Sequence, residues 1–122
     1  MKRIYCLSTC DKCQAIIKTI DAKKKGFALQ DIKTEKITSA QLDDMKELAG
    51  SYEALFSRRA LLYRERGLAA KKLAENDFRD LILEEYTFLK RPVVILDRKI
   101  FVGSEKKTVE DLLNDVTHDV RH

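Results

Sequence analysis

The segment Ile4-Tyr5-Cys6-Leu7-Ser8-Thr9-Cys10-Asp11-Lys12-Cys13 joins a short apolar run to a stretch with helical periodicity. The apolar run predicts a first strand, and the apolar spacing that begins near Lys12 predicts a helix. The pair Cys10 and Cys13 therefore falls where a strand gives way to a helix. Free N–H groups at a helix N-terminus stabilise a thiolate, which lowers the pKa of a cysteine there from roughly 8.5 to as little as ~3.5. We expect Cys10, the leading cysteine, to be the nucleophile of a reactive pair.

Length and cysteine content point to one intracellular domain. The chain has 122 residues, of which 44% are hydrophobic, and this is enough for a single core. The apolar stretch after Met1 is shorter than a secretory h-region, and no segment approaches a membrane span. Three cysteines in such a chain are typical of a redox pair plus one spare rather than of a disulfide scaffold. We expect a cytoplasmic protein, monomeric by default, in which Cys6 is a small buried side chain.

The charge of the chain says little about its partners. There are 24 basic and 20 acidic residues, and the net charge of +4 is small. It favours an anionic substrate or an acidic partner only weakly, and it gives no reason to expect direct contact with nucleic acid. We also expect no association with a membrane.

Helical signals fill the middle of the chain. Thr38 and Gln41 form a capping box, and Gly50 ends the helix that follows. A second helix is predicted to open at Ser51 and to end before Gly67, and a third begins at a cap on Asn76 or Asp77.

Strand signals lie on both sides of these helices. Residues 27–32 precede them, and residues 93–96 and 99–102 follow them, joined by a tight turn at Asp97-Arg98. A closing helix follows Gly103, and the tail at residues 117–122 is predicted to be frayed. The pattern predicts an α/β core of mixed sheet and flanking helices, interrupted by an all-helical insertion.

Four blocks of sequence carry a family likeness. They are Cys10-Asp11-Lys12-Cys13, Leu55-Phe56-Ser57-Arg58-Arg59, Leu89-Lys90-Arg91-Pro92-Val93-Val94 and Val102-Gly103. In order and spacing they resemble the glutaredoxin-like arsenate reductase (ArsC) family, whose relatives include the redox-sensing transcription regulator Spx. The resemblance runs over nearly the whole chain. It implies a thioredoxin-like (glutaredoxin-like) fold in a single domain of residues 1–122, with the helical insertion at about residues 36–88.

The resemblance also implies roles for individual residues. In the family's enzymes a cysteine at the helix start attacks an oxyanion such as arsenate, and arginines hold the charged oxygens. Carried over by position, Cys10 is the nucleophile, Arg91 is an oxyanion ligand, and Arg58 or Arg59 from the insertion is a second one. A guanidinium suits this task because it stays charged and presents a fixed fork of donors. Pro92, the only proline, is implied to follow a cis peptide bond.

Two departures from the family's enzymes separate two hypotheses. Gln14 stands where these enzymes usually carry an arginine, and Cys13 completes a CxxC that is typical of the Spx branch. The first hypothesis is a thiol-disulfide oxidoreductase that needs no bound cofactor. Cys10 attacks arsenate, a disulfide or another oxidised substrate, Cys13 resolves the intermediate, and glutathione or a thioredoxin-like protein resets the pair. The alternative is a Spx-like regulator, in which a Cys10–Cys13 switch controls binding to the RNA polymerase alpha subunit.

Less specific interpretations remain open for several of these residues. Arg58 and Arg59, placed on an amphipathic helix, could form a solvated face. Lys12 could support the Cys10 thiolate or only solvate the turn. A zinc site is a poor match, because one CxxC with His118 and His122 falls short of the usual ligand spacing.

Overall fold

The computed structural model describes residues 1–119. The chain divides into two compact units. One, the α/β unit, contains Met1–Glu35 and the chain from Arg91 onward, and the other, the helical unit, is Lys36–Lys90. The insertion predicted from the sequence covers about residues 36–88, and the helical unit is Lys36–Lys90.

The α/β unit contains a four-stranded mixed sheet. Its strands are β1 (Lys2–Cys6), β2 (Ala28–Asp31), β3 (Val93–Leu96) and β4 (Lys99–Val102), in the order β2-β1-β3-β4. The β1–β2 pair is parallel, whereas β1–β3 and β3–β4 are antiparallel. Two helices of this unit, α1 (Asp11–Thr19) and α5 (Lys106–Asp119), flank the sheet. The predicted α/β class and thioredoxin-like core are confirmed.

One hydrophobic cluster joins this sheet to its helices. Because side chains alternate along a strand, Ile4 and Cys6 of β1 share a face with Val94 and Leu96 of β3. The buried members of the cluster are Ile4, Cys6, Cys13, Ile16, Ile20, Ala22, Phe27, Val94, Leu96, Leu112 and Val116. The first turn of α1 is thus anchored in the core through Cys13.

The helical unit contains three α-helices, α2 (Ser39–Ala49), α3 (Leu61–Glu65) and α4 (Glu75–Glu84), joined through short 3₁₀ turns. The capping box at the start of α2 is confirmed, since the Gln41 N–H donates to the Thr38 hydroxyl at 3.0 Å and the Thr38 N–H donates to the Gln41 side chain at 3.1 Å. Gly50 ends this helix with a φ of 97°, a left-handed conformation that glycine adopts without strain.

The prediction of one continuous helix from Ser51 to the residue before Gly67 is wrong. The chain forms a 3₁₀ turn at Glu53–Leu55 and an extended residue at Phe56 before α3 begins. Backbone bonds to a distant segment replace the helical ones, because the Ser57 N–H donates to the Phe88 carbonyl at 2.7 Å and the Lys90 N–H donates to the Leu55 carbonyl at 2.9 Å. The arginines at positions 58 and 59 consequently lie in a turn rather than on a helix.

Two predicted helix ends also need correction. The third helix of the unit begins at Glu75 after Ala74, so neither Asn76 nor Asp77 is its N-cap. Asp77 instead lies inside the first turn and accepts a hydrogen bond from the Ala74 N–H at 2.8 Å. In the α/β unit, α5 continues to Asp119, so residues 117–119 of the tail that is predicted to be frayed are helical, and residues 120–122 lie outside the described residues. None of the described helices is long and apolar enough to cross a membrane.

Candidate active site

Sheet topology brings two chemically important segments to one edge of the α/β unit. In the register of the β1–β3 pair, Tyr5 lies opposite Val93. Because the two strands are antiparallel, the end of β1 and the start of β3 lie at the same edge. The loop that leads to Cys10 and the Arg91-Pro92 segment therefore leave the sheet at neighbouring points.

Cys10 occupies the N-cap position of α1. Its backbone is extended (φ −92°, ψ 112°), its N–H donates to the Leu7 carbonyl at 3.1 Å, and its carbonyl accepts from the Gln14 N–H at 3.0 Å. The side chain is partly accessible. A sulfur at this position faces the unpaired N–H groups of the first helical turn.

The thiol of Cys10 ionises more readily than an ordinary cysteine. Partial burial raises its pKa, but hydrogen bonds from the backbone and side chain of Cys13, another from the Lys12 backbone and the charge of Arg91 together outweigh burial. The net effect is a lowered pKa. These groups all favour the thiolate, the form that attacks electrophiles.

The second sulfur of the pair has the opposite character. Cys13 is 0% exposed, and burial is the main cause that raises its pKa to about 12. A hydrogen bond with the Leu7 backbone opposes this shift, while contact with Cys10 and the charge of Cys6 add to it. Cys13 thus remains a thiol beside Cys10 at neutral pH.

Cys6 is a buried core residue, as predicted. Its thiol donates to the Gln30 carbonyl at 3.6 Å. Burial, followed by the negative charges of Asp31 and Cys10, raises its pKa. All three cysteines are free thiols.

Arg91 and Pro92 lie beside the cysteine pair in the α/β unit. The peptide bond between them is cis, the isomer that the resemblance implies. The Pro92 carbonyl accepts the Gly103 N–H at 2.9 Å, which connects this segment to the chain after β4. Arg91 is half-buried, and its charge lowers the pKa of Cys10.

The remaining predicted site residues are placed differently. Lys12 has an exposed side chain, and its backbone forms a hydrogen bond to Cys10 that helps to lower the pKa of the thiol. Arg58 lies in the helical unit, where its guanidinium binds Glu53 at 2.7 Å and stacks 5.5 Å from the Phe78 ring centre. Arg59 follows it, exposed, in the same turn. An oxyanion-binding role for either arginine stays a prediction.

Sequence reasoning missed Asp31, which supports the loop before Cys10. Its carboxylate accepts the Ser8 N–H at 3.4 Å and the Lys33 N–H at 3.1 Å. The Ser8 side chain also bonds to this carboxylate and is the largest cause of its lowered pKa. The signal that could have found Asp31 is its position at the end of β2. Because β1 and β2 are parallel, their carboxyl ends lie at the same edge of the sheet, which brings Asp31 to the chain that follows β1.

Sequence reasoning also missed the contact that Gln14 makes. The side-chain Nε2 of Gln14 donates to the Leu7 carbonyl at 3.1 Å.

Among the described residues, no group of three or more His, Cys, Asp or Glu side chains is arranged to hold a metal ion.

Comparison with known proteins places these observations in a family context. A model of the ArsC family matches residues 5–112 of the chain. A search of curated protein sequences finds no significant match.

Several solved structures share the fold. An arsenate reductase from Vibrio cholerae is 16% identical with a TM-score of 0.76, and the match covers 93% of this chain and 95% of that chain. An arsenate reductase related protein from Brucella melitensis is 23% identical with a TM-score of 0.66, covering 90% and 92%. A Staphylococcus aureus protein is 22% identical with a TM-score of 0.74, covering 91% and 97%. At these identities the likeness is one of fold.

Proposed function

Because the chain belongs to the ArsC family, we propose that it is a thiol-disulfide oxidoreductase in which Cys10 is the nucleophile and Cys13 the resolving cysteine. The observation that carries the proposal is the contrast between two neighbouring sulfurs, one partly accessible with a lowered pKa and one buried with a raised pKa. A nucleophile must be ionised and reachable, whereas a resolving thiol has to react only inside the protein.

The first step is attack by the Cys10 thiolate on an oxidised substrate. With a disulfide, a new bond forms from Cys10 Sγ to one substrate sulfur, and the other sulfur leaves as a thiolate. With arsenate, Cys10 Sγ bonds to arsenic and displaces one oxygen as hydroxide or, after protonation, as water. The charge of Arg91 favours the Cys10 thiolate, and its guanidinium suits the oxygens of an oxyanion.

The second step forms the internal disulfide. Cys13 loses its proton to the departing group and its sulfur attacks Cys10 Sγ. The electron pair of the broken bond leaves with the second substrate thiolate or reduces As(V) to As(III). The dithiol has then given up two electrons. An external thiol, such as glutathione or a thioredoxin-like protein, returns them by thiol-disulfide exchange at the accessible Cys10.

A redox switch is the second candidate function. The same dithiol could control binding to the RNA polymerase alpha subunit without any turnover, and the internal CxxC favours this alternative. The two candidates differ in a measurable way, since a catalyst consumes substrate in excess over protein and a switch does not. Redox-dependent binding to the C-terminal domain of that subunit, without turnover, would favour the switch.

Turnover by purified variants tests the proposal. The assays follow reduction of arsenate and of a small disulfide with glutathione as the reductant. We expect Cys10→Ser to abolish turnover with either substrate. When glutathione is left out, we expect Cys13→Ser to keep a mixed disulfide on Cys10 after reaction with the small disulfide, detectable by intact mass, because the internal attack is lost.

The third cysteine provides the matched control. Cys6→Ala removes a thiol from the core cluster that also contains Cys13 but keeps both cysteines of the reactive pair, so it should retain turnover once its folding is verified. Turnover in Cys10→Ser equal to that of the wild type would contradict the proposal. Loss of activity in all three variants alike would show a general effect of removing a cysteine.

A further inference from the structure

The Gln14 side chain joins the first turn of α1 to Leu7, the residue that directly follows β1. Gln14 follows Cys13 in the first turn of α1, and its Nε2 reaches back to the Leu7 carbonyl at 3.1 Å. The same carbonyl accepts the Cys10 N–H at 3.1 Å, and the Cys10 carbonyl accepts the Gln14 N–H at 3.0 Å. Three hydrogen bonds thus close a ring through Leu7, Cys10 and Gln14.

Leu7 connects this ring to both cysteines, to the backbone of Cys10 and to the sulfur of Cys13. It is buried, at 8% exposure, directly after β1, and its backbone also hydrogen bonds to the Cys13 sulfur. Its carbonyl has two lone pairs, and the Cys10 N–H and the Gln14 amide occupy both. A side chain that fixes Leu7 therefore acts on the position of both cysteines, although the amide itself is bonded to the backbone and not to either sulfur.

We propose that Gln14 is a positioning residue, which holds the loop carrying Cys10 against the first turn of α1 through its hydrogen bond to the Leu7 carbonyl. The inference rests on the proposed role of Cys10 as nucleophile. The Cys10 sulfur is stabilised by N–H groups of Lys12 and Cys13, and hydrogen bonds weaken steeply when their angles change. A looser loop would give the sulfur poorer alignment with those donors.

Replacement of Gln14 by methionine tests this positioning role. Methionine has similar length and no donor, and Leu7 keeps its bond from Cys10, so the fold is preserved. We expect alkylation of Cys10 by iodoacetamide, followed against pH in the reduced protein, to shift its midpoint upward. Below the midpoint the rate should fall about threefold to tenfold, which corresponds to an increase in pKa of about half a unit to one unit. Gln14→Ala should shift the midpoint in the same direction.

A second glutamine provides the matched control. Gln41 also forms a side-chain bond to the backbone in the first turn of a helix, in the helical unit. Gln41→Met should therefore lower stability in urea but leave the Cys10 profile unchanged. If the profiles of Gln14→Met and Gln14→Ala coincide with that of the wild type, or if Gln41→Met shifts its profile equally, the positioning role is wrong.

The wild-type profile separates this inference from the proposed function. A wild-type midpoint at or above that of an ordinary cysteine would overturn both. A lowered wild-type midpoint that neither Gln14 variant changes would leave the nucleophile in place and remove only the role of Gln14.

Discussion

At the scale of single residues, the two sulfurs of the pair are distinguished by burial and by hydrogen bonding. Cys10 lies at the helix start and receives bonds from backbone N–H groups that favour its ionised form. Cys13 points into the core, where an ionised sulfur would lose its hydration. Three positions along one helical turn are enough to separate the ionisation of two identical side chains.

The buried thiol of Cys13 should make the reduced protein less stable at alkaline pH. Its pKa is about 12 in the folded protein, against an ordinary value of 9.0. A group whose pKa is higher in the folded protein than in the unfolded chain contributes to the free energy of unfolding. This contribution is complete below the unfolded pKa and is lost as the pH rises through the folded pKa. The advantage of the wild type over Cys13→Ala should therefore shrink by about 1.4 kcal/mol per pH unit above 9. Urea unfolding in reducing buffer measures this difference.

Cys10→Ala is the natural comparison, because the pKa of Cys10 is lowered. The contribution of Cys10 to the free energy of unfolding is complete above the unfolded pKa and is lost as the pH falls through the folded pKa. The advantage of the wild type over Cys10→Ala should thus grow as the pH rises towards 9. Two variants with parallel pH profiles would contradict the assigned contrast between the sulfurs.

At the scale of elements, local signals were predictable and distant contacts were not. The capping box of Thr38 and Gln41 could be predicted because its hydrogen bonds join residues three positions apart. The break after Leu55 could not, because it depends on backbone bonds from Ser57 and Lys90 across more than thirty positions of chain. An amphipathic pattern describes the apolar face of a segment, but it does not show whether a distant backbone competes for its N–H groups.

The site follows the same rule. Cys10 and Cys13 could be proposed from sequence because thiol chemistry depends on residue type and on the strand-to-helix junction. The Gln14 contact depends on the path of the loop between β1 and α1, which no pattern in the sequence specifies. The Asp31 contact was accessible only through the parallel pairing of β1 with β2, which brings the carboxyl ends of the two strands together.

A charged cluster connects α2 to α4 in the helical unit, and we expect it to stabilise the protein. The Asp43 carboxylate accepts two bonds from Arg79, at 2.9 and 3.2 Å, and one from the Tyr52 hydroxyl at 2.6 Å. These bonds, those of Arg79 first, lower the pKa of Asp43 to about 2. Asp43→Asn should lower the thermal midpoint at neutral pH, because a neutral amide attracts the guanidinium less strongly.

The pH dependence of this effect has a definite sign. With a lowered pKa, the contribution of Asp43 is complete above its ordinary value of 3.8 and is lost as the pH falls through about 2. The gap in thermal midpoint between wild type and Asp43→Asn should therefore close in that window. Asp44→Asn changes the exposed neighbour on the same helix and should have little effect at any pH. Equal effects of the two variants would show that the paired geometry of Asp43 contributes nothing.

At the scale of the whole molecule, the α/β unit is assembled from the two ends of the chain. The central strand β1 pairs with β2 on one side and with β3 on the other, so Ile4 lies opposite both Leu29 and Val94. Cys10 follows β1 and Arg91 precedes β3, and α1, β2 and the helical unit occupy the intervening chain. The candidate site therefore exists only once these distant segments have paired, even though the cysteine pair itself is local in sequence.

The three thiols of the molecule should divide into one oxidisable pair and one bystander. We expect mild oxidation at a controlled glutathione ratio to join Cys10 to Cys13, because the two sulfurs are hydrogen-bonded neighbours and Cys10 is the readily ionised one. Cys6 should remain a thiol, since it is buried and its pKa is raised. Alkylation after unfolding, read by intact mass and peptide mapping, should label all three cysteines in the reduced protein and only Cys6 in the oxidised protein. Oxidised Cys6→Ala should take up no label, whereas label on Cys10 or Cys13 together with loss of label on Cys6 in the oxidised wild type would show that the oxidised pair is a different one.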